Sequence, residues 1–199
     1  MKNFIVFEDS SRVNFGGGQK MTLTICDILK NKFIFRFVDF SNSTKFCDIV
    51  RKDYPKCKLV NVGHANIKSK YRYLSWLKTI PDVLFHFTGD IGRIMDGVDR
   101  NNAISYVTNK RSLIYAFYIY RKYKVPFVYH AHLVENPKGI YYPLFKWMVS
   151  KASNILCVSK TVMKSIPLRQ SVLLYNPSLN SKGYKGEKTG NKFVVGFVG

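Results

Sequence analysis

Short apolar runs alternate with longer stretches of helical periodicity along most of the chain. Residues 2–8, KNFIVFE, form an apolar run bounded by a polar loop and predict a first strand. In 19–30, QKMTLTICDILK, the apolar Met21, Ile25, Ile28 and Leu29 share one helical face. KFIFRFVDF (32–40) and KLVNV (58–62) predict two further strands. A basic amphipathic helix is expected over 65–80, and PDVLFHFTG (81–89) predicts a fourth strand, its proline placed where a missing donor is tolerated. The longest helical pattern runs over 101–123. After it come VPFVYHAHL (125–133) as a strand, YYPLFKWMVSKA as a helix and NILCVS (154–159) as a strand. KTVMKSI then reads as a short helix and SVLLYN (171–176) as a strand.

Repeated strand–helix alternation with near-continuous apolar strands predicts an α/β fold: a Rossmann-like, doubly wound parallel sheet covered on both faces. The pattern then breaks. A polar stretch rich in Gly and Lys, without periodicity, reads as a linker, and KFVVGFVG after it reads as a fresh strand. The expected organisation is a Rossmann-like domain over 1–176, a linker over 177–191, and the first strand of a second α/β domain over 192–199.

Composition adds one unusual quantity. Of 199 residues, 32 are Lys or Arg and 12 are Asp or Glu, a net charge of +20. Residues 1–99 carry sixteen basic and ten acidic side chains, whereas residues 100–199 carry sixteen basic ones against only Glu135 and Glu187. Such a field favours an anionic partner: nucleic acid, an acidic membrane surface or a phosphorylated small molecule. A solvated lysine-rich surface without a partner is the plain alternative. Hydrophobic residues at 46% argue against global disorder. Cys26, Cys47, Cys57 and Cys157 show no CxxC spacing, and the N-terminus shows no signal peptide, so reduced cytosolic thiols are expected. No run reaches the roughly 18 apolar residues of a spanning helix. The expected location is cytoplasmic, peripheral at the inner face of the cell membrane.

In open α/β sheets, ligands bind beyond the carboxyl ends of the strands. The glycines Gly16, Gly17 and Gly18, followed by Gln19, come after the first strand at a helix start, where backbone N–H groups and the dipole favour phosphate. They match neither GxGxxG nor a Walker loop, and a flexible turn is the other reading. His86, Thr88, Gly89 and Asp90 are expected after the fourth strand, with Asp90 a candidate acceptor-side residue; turn-forming aspartates in a solvated loop are the plainer reading. HAH at 130–132 puts two histidines on one side of a strand. No second ligand cluster supports a metal there. His130 reads as structural and His132, at the strand exit, as the site candidate, with Glu135, Asn136 and Lys138 nearby. Lys68, Lys70, Arg72 and Lys78 interleave with aromatics including Trp76. That mixture suits an anionic membrane interface, single-stranded nucleic acid, or simply a packed surface helix. The lack of a nucleic-acid module makes nucleic acid the weakest of the three.

In order, the Gly-rich loop, PDVLFHF, VPFVYHAHL, NILCVSKTVMKSI, VLLYNPS and FVVGFVG resemble the N-terminal half of GT-B glycosyltransferases, most of all family 4, the group 1 retaining transferases. The resemblance spans nearly the whole chain. It implies sugar transfer from a nucleotide-sugar to a lipid-linked or saccharide acceptor, with retention and without a cofactor or metal, as in surface polysaccharide synthesis. It also implies two Rossmann-like domains, the first holding mainly acceptor and the second mainly nucleotide. Gly16–Gly18 match the family loop whose backbone approaches donor phosphate and sugar. His132 matches the histidine placed beside the reacting sugar, and Ser159 a turn serine. Asn176-Pro177 stands where many relatives have Asn-Gly. The second domain, supplied in cis or by a partner subunit, would carry most of the donor site, so this chain alone is expected to be incomplete and inactive. A competing class is a non-catalytic Rossmann-like binding module for nucleic acid or a protein partner. An epimerase-type enzyme is a third reading, disfavoured by the missing GxGxxG.

Overall fold

A computed structural model describes residues 2–8, 16–40, 44–62 and 86–175. Its elements are β1 (Lys2–Glu8), α1 (Gly17–Leu29), β2 (Phe33–Asp39), α2 (Thr44–Asp53) and β3 (Lys58–Asn61). A helix over 86–95 (α3) follows, then a 3-10 turn (Arg100–Asn102), β4 (Ala103–Val107) and α4 (Lys110–Tyr123). The remainder is β5 (Phe127–Ala131), α5 (Tyr142–Val149), β6 (Asn154–Cys157), α6 (Lys160–Ser165) and β7 (Ser171–Leu173).

All seven strands are parallel, in the order β3-β2-β1-β4-β5-β6-β7. This is the doubly wound Rossmann-like sheet that the alternation predicts. Alternate side chains of each strand enter separate cores, because strand periodicity is two. On one face Phe4, Val6, Phe35, Phe37 and Tyr106 pack with Leu23 and Cys26 of α1 and with Phe46 and Val50 of α2. On the other, Ile5, Phe7, Val107, Phe127, Tyr129 and Ile155 pack under Ile91 and Ile94 of α3, Leu113 and Ile119 of α4, and Phe145 of α5. Ile5, Phe7, Phe37 and Phe127 have no solvent exposure, each worth about 1.5–3 kcal/mol of transfer free energy. The strand order reverses between β1 and β4, which opens the ligand crevice at their carboxyl ends.

Two sequence expectations are corrected. Residues 86–89, expected as the end of a strand, are helical. A short apolar run does not distinguish strand from buried helix, and Phe87, Ile91, Ile94 and Met95 recur at helical spacing against the core. Gly89 and Gly92 cost α3 about 1 kcal/mol each relative to Ala, a propensity that core packing overrides. His86, Thr88, Gly89 and Asp90 therefore lie in a helix, and residues 81–85 of the expected strand lie outside the described residues. Second, the single helix expected over 101–123 is β4 followed by α4. Asn109 divides them: its Oδ1 accepts the Ser112 N–H at 2.9 Å and caps the new helix. The segment read as helix thus includes a central strand of the sheet. The helix expected over 65–80, the linker over 177–191 and the strand over 192–199 lie outside the described residues.

Candidate functional site

The first turn of α1 explains the three glycines in part. Gly16 is the N-cap residue, with extended backbone at φ −88° and ψ 177°, which any residue can adopt. Among the described residues, Gly97 is the only glycine with positive φ. A Cβ built at Gly16, Gly17 or Gly18 would meet nothing within 4 Å among the described residues. Neither strain nor crowding therefore requires glycine here, and the consequence of the run is bare backbone at a helix N-terminus. That terminus has no acidic residue in its first turn, so no side-chain carboxylate there offsets its positive dipole end. A glycine cap has no side chain to accept first-turn N–H groups. Gln19 compensates from the other direction, its Oε1 accepting the Gly16 N–H at 2.7 Å. That bond fixes the amide orientation and leaves Nε2 as a donor. Gln19 is buried, and among the described residues its Nε2 has no hydrogen-bond partner.

His130 and His132 alternate with Tyr129 and Ala131, which face the α3–α5 core, so both imidazoles lie on the α1 side of the sheet. Their ring centroids are 4.1 Å apart. The sequence expectation that HAH aligns two histidines on one side holds. His130 is fully buried, and burial, with His132 adding to it, pushes its pKa down to about 3, so it is neutral. Burial also lowers the pKa of His132. The Tyr106 hydroxyl lies 2.5 Å from His130 Nδ1. Burial raises the Tyr106 pKa, so the phenol keeps its proton, and the His130 tautomer decides which of the two groups donates in this contact. Both histidine Nε2 atoms are buried and have no partner among the described residues. Thr22 of α1 lies beside the Tyr106 phenol and links the histidine pair to the glycine-led helix. Glu8, buried at the end of β1, adds a carboxyl near Tyr106.

The other candidates serve different ends. Glu135 is buried; Lys110 Nζ meets its Oε2 at 2.7 Å, and its backbone N–H donates to Ser165 Oγ at 3.0 Å. Glu135 thereby ties the loop after β5 to α4 and α6. Asn136 shapes a turn, its Oδ1 accepting the Lys138 N–H and its backbone oxygen the Gly139 N–H, both at 3.0 Å. Lys138 is exposed. Asp90 is buried in α3, where Arg93 and the Tyr115 hydroxyl donate to its two oxygens, the latter at 3.2 Å. Ser159 caps α6 through the Val162 N–H, a structural part. Lys68, Lys70, Arg72, Trp76 and Lys78 lie outside the described residues. Among the described residues no three His, Cys, Asp or Glu side chains converge as metal ligands. A cavity of about 390 Å³ at the β3 edge, lined in part by Lys58, Asn61 and Asp96, shares no residue with the strand-end site.

The structure thus places Gln19, Tyr106, His130 and His132 on one side of the sheet, and pairs Asp90 with Arg93 and Glu135 with Lys110. Sequence reasoning missed Tyr106, which sits in the segment read as helix. The period-two spacing of Ile104 and Tyr106 was the available signal. Chemically, the set offers a helix N-terminus, a primary amide and two neutral imidazoles, groups of the kind that hydrogen-bond phosphate and hydroxyl oxygens.

No protein-family model and no curated protein sequence matches the chain. Solved structures do. Anabaena HepE in complex with UDP and glucose is 12% identical, with TM-score 0.64 over 88% of this chain and 44% of that one. The lipopolysaccharide outer core galactosyltransferase WaaB, in its apo form, is 15% identical, with TM-score 0.53 over 89% and 46% of the two chains. The spinosyn rhamnosyltransferase SpnG complexed with thymidine diphosphate is 9% identical, with TM-score 0.51 over 87% and 49%. The chain spans about half the length of each. At these identities the likeness is one of fold. The chain has the Rossmann-like α/β fold of GT-B glycosyltransferases.

Proposed function

We propose that this chain is the acceptor-side domain of a retaining family 4 glycosyltransferase. It would act with a second, nucleotide-holding domain to move a sugar from a nucleoside-diphosphate sugar to a lipid-linked or saccharide acceptor, in surface polysaccharide synthesis at the inner face of the cell membrane. The observation that carries this reading is the pairing of a glycine-led helix start, without a carboxylate in its first turn, with a buried and a half-buried neutral imidazole on the same side of the sheet, at the strand ends. UDP, glucose and thymidine diphosphate in structures of the same fold support the choice of donor class.

In this reading the Gly16–Gly18 backbone approaches the donor phosphates, and the missing Cβ atoms allow that approach. The Gln19 amide supplies one further donor. His132 stands beside the transferring sugar as a neutral hydrogen-bonding group, its ring held by His130, which Tyr106 holds in turn. Neutrality matters: an imidazolium beside a developing oxocarbenium ion would oppose it.

The test is an NMR titration of the backbone amides with UDP-glucose, with uridine as the phosphate-free control. Saturable shifts at Gly17, Gly18 and His132 with UDP-glucose, absent with uridine, are expected. Shifts confined to scattered lysines and abolished by modest salt would contradict the reading and favour general polyanion binding.

A further inference from the structure

The outer faces of α4 and α5 carry an apolar surface that the strand-end site does not use. Ile140 is 86% exposed, Leu144 56% and Trp147 49%, and these three follow helical spacing across the turn into α5. The opposite side of α5 buries Phe145 and Val149 in the core, so the exposed stripe is the helix's outward face. Trp147 packs on Phe117 of α4, ring centroids 4.7 Å apart, and Ile114, one turn earlier on α4, is 50% exposed. The two stripes therefore meet in one patch. Single exposed apolar residues are ordinary on proteins, but a contiguous cluster of this kind marks an interaction surface.

Charge selects the partner. Over residues 100–175 Glu135 is the only acidic side chain, and it is buried against Lys110. Around the patch stand Lys138 before α5, Lys146 within it, and Arg121 and Lys122 in the last turn of α4. An apolar stripe containing tryptophan, bordered by cations and without an exposed carboxylate among residues 100–175, matches an anionic bilayer surface. Isoleucine and leucine enter the acyl boundary, the indole sits at headgroup depth, and the cations meet lipid phosphates. No helix of the described residues is long and apolar enough to cross a membrane, so contact of this kind is lateral.

We propose that the α4–α5 face, centred on Ile140, Leu144 and Trp147, docks the protein on an anionic lipid bilayer. The proposal deepens the membrane-surface part of the proposed function by naming its surface, and it is independent of the transfer chemistry. The loop after β5, which begins at His132, leads directly into the patch, so docking would hold the strand-end site beside the bilayer.

The experiment is flotation with two kinds of vesicle, pure phosphatidylcholine and equal parts phosphatidylcholine and phosphatidylglycerol. The unaltered chain should partition strongly onto the anionic vesicles alone. The Ile140→Asp, Leu144→Asp variant should lose about tenfold or more of that partition, and each of Lys138→Gln and Lys146→Gln about fivefold. All four positions lie at or near the surface, and circular dichroism checks that the fold is kept. In a Trp76→Phe background, Trp147 is the sole tryptophan, and its fluorescence should shift blue and be quenched by brominated lipid. Three results would overturn the proposal. One is equal binding to both vesicles. Another is undiminished binding by the double aspartate variant while Lys68, Lys70, Arg72 and Lys78 changed to Gln abolish it. The third is concentration-dependent self-association that the double variant removes, which would assign the patch to a second copy. Failure here leaves the UDP-glucose titration untouched, and the reverse holds as well.

Discussion

Tyr106 of β4 and His130 of β5 share a buried hydrogen bond, 2.5 Å from phenol oxygen to Nδ1, behind the His132 ring. This bond couples the His130 tautomer to the phenol and holds the imidazole against which His132 rests. Tyr106→Phe would leave His130 Nδ1 buried without its hydrogen-bond partner, at a cost of about 1–3 kcal/mol. Urea unfolding measures that loss. Nitrogen-15 spectra of the imidazoles should show the His130 tautomer population change as well, which a purely steric role for Tyr106 would not produce.

Stability should fall on the acid side through these histidines. In the folded protein His130 titrates at about 3 instead of 6.5, and His132 is displaced in the same direction. The unfolded chain takes up these protons below about pH 6.5, whereas the folded chain does not until near the lowered values. The contribution is therefore complete above pH 6.5 and declines as pH falls toward 3, by about 1.4 kcal/mol per pH unit for each histidine within its window. His130→Gln should flatten part of that slope. A profile between pH 7.5 and 5 identical to that of the unaltered chain would show that His130 is not buried neutral.

Much of this architecture was legible in the sequence because local pattern and tertiary role agree. HAH announced two side chains on one sheet face, and the run FVYHA is both apolar and paired on both sides. β4 was not legible, since AISYV runs through Thr108 and Asn109 into another apolar segment, and only the Asn109 cap separates them. α3 was misread as strand at 86–89, although Ile91, Ile94 and Met95 keep helical spacing. The fate of Asp90 could not be read locally at all, because Tyr115, one of its partners, is 25 residues away.

Lys110 and Glu135 should behave as a coupled pair. The Lys110 side chain is 61% exposed and that of Glu135 only 10%, so removing the lysine leaves a mostly buried carboxylate unpaired. Lys110→Met is expected to cost about 1–2 kcal/mol after allowance for solvent screening. Adding Glu135→Gln should recover part of that loss, and a double-mutant cycle by urea unfolding gives the coupling. Additive effects would mean that the bond at 2.7 Å does not anchor the loop after β5.

The central claim, that His132 faces a transferring sugar, is tested most directly by sugar transfer from a radiolabelled nucleotide-sugar. The chain is assayed joined to its natural downstream sequence, with His132 intact or changed to Ala. The account predicts a fall of about a hundredfold or more in kcat with unfolding stability retained. Undiminished transfer by His132→Ala would contradict it.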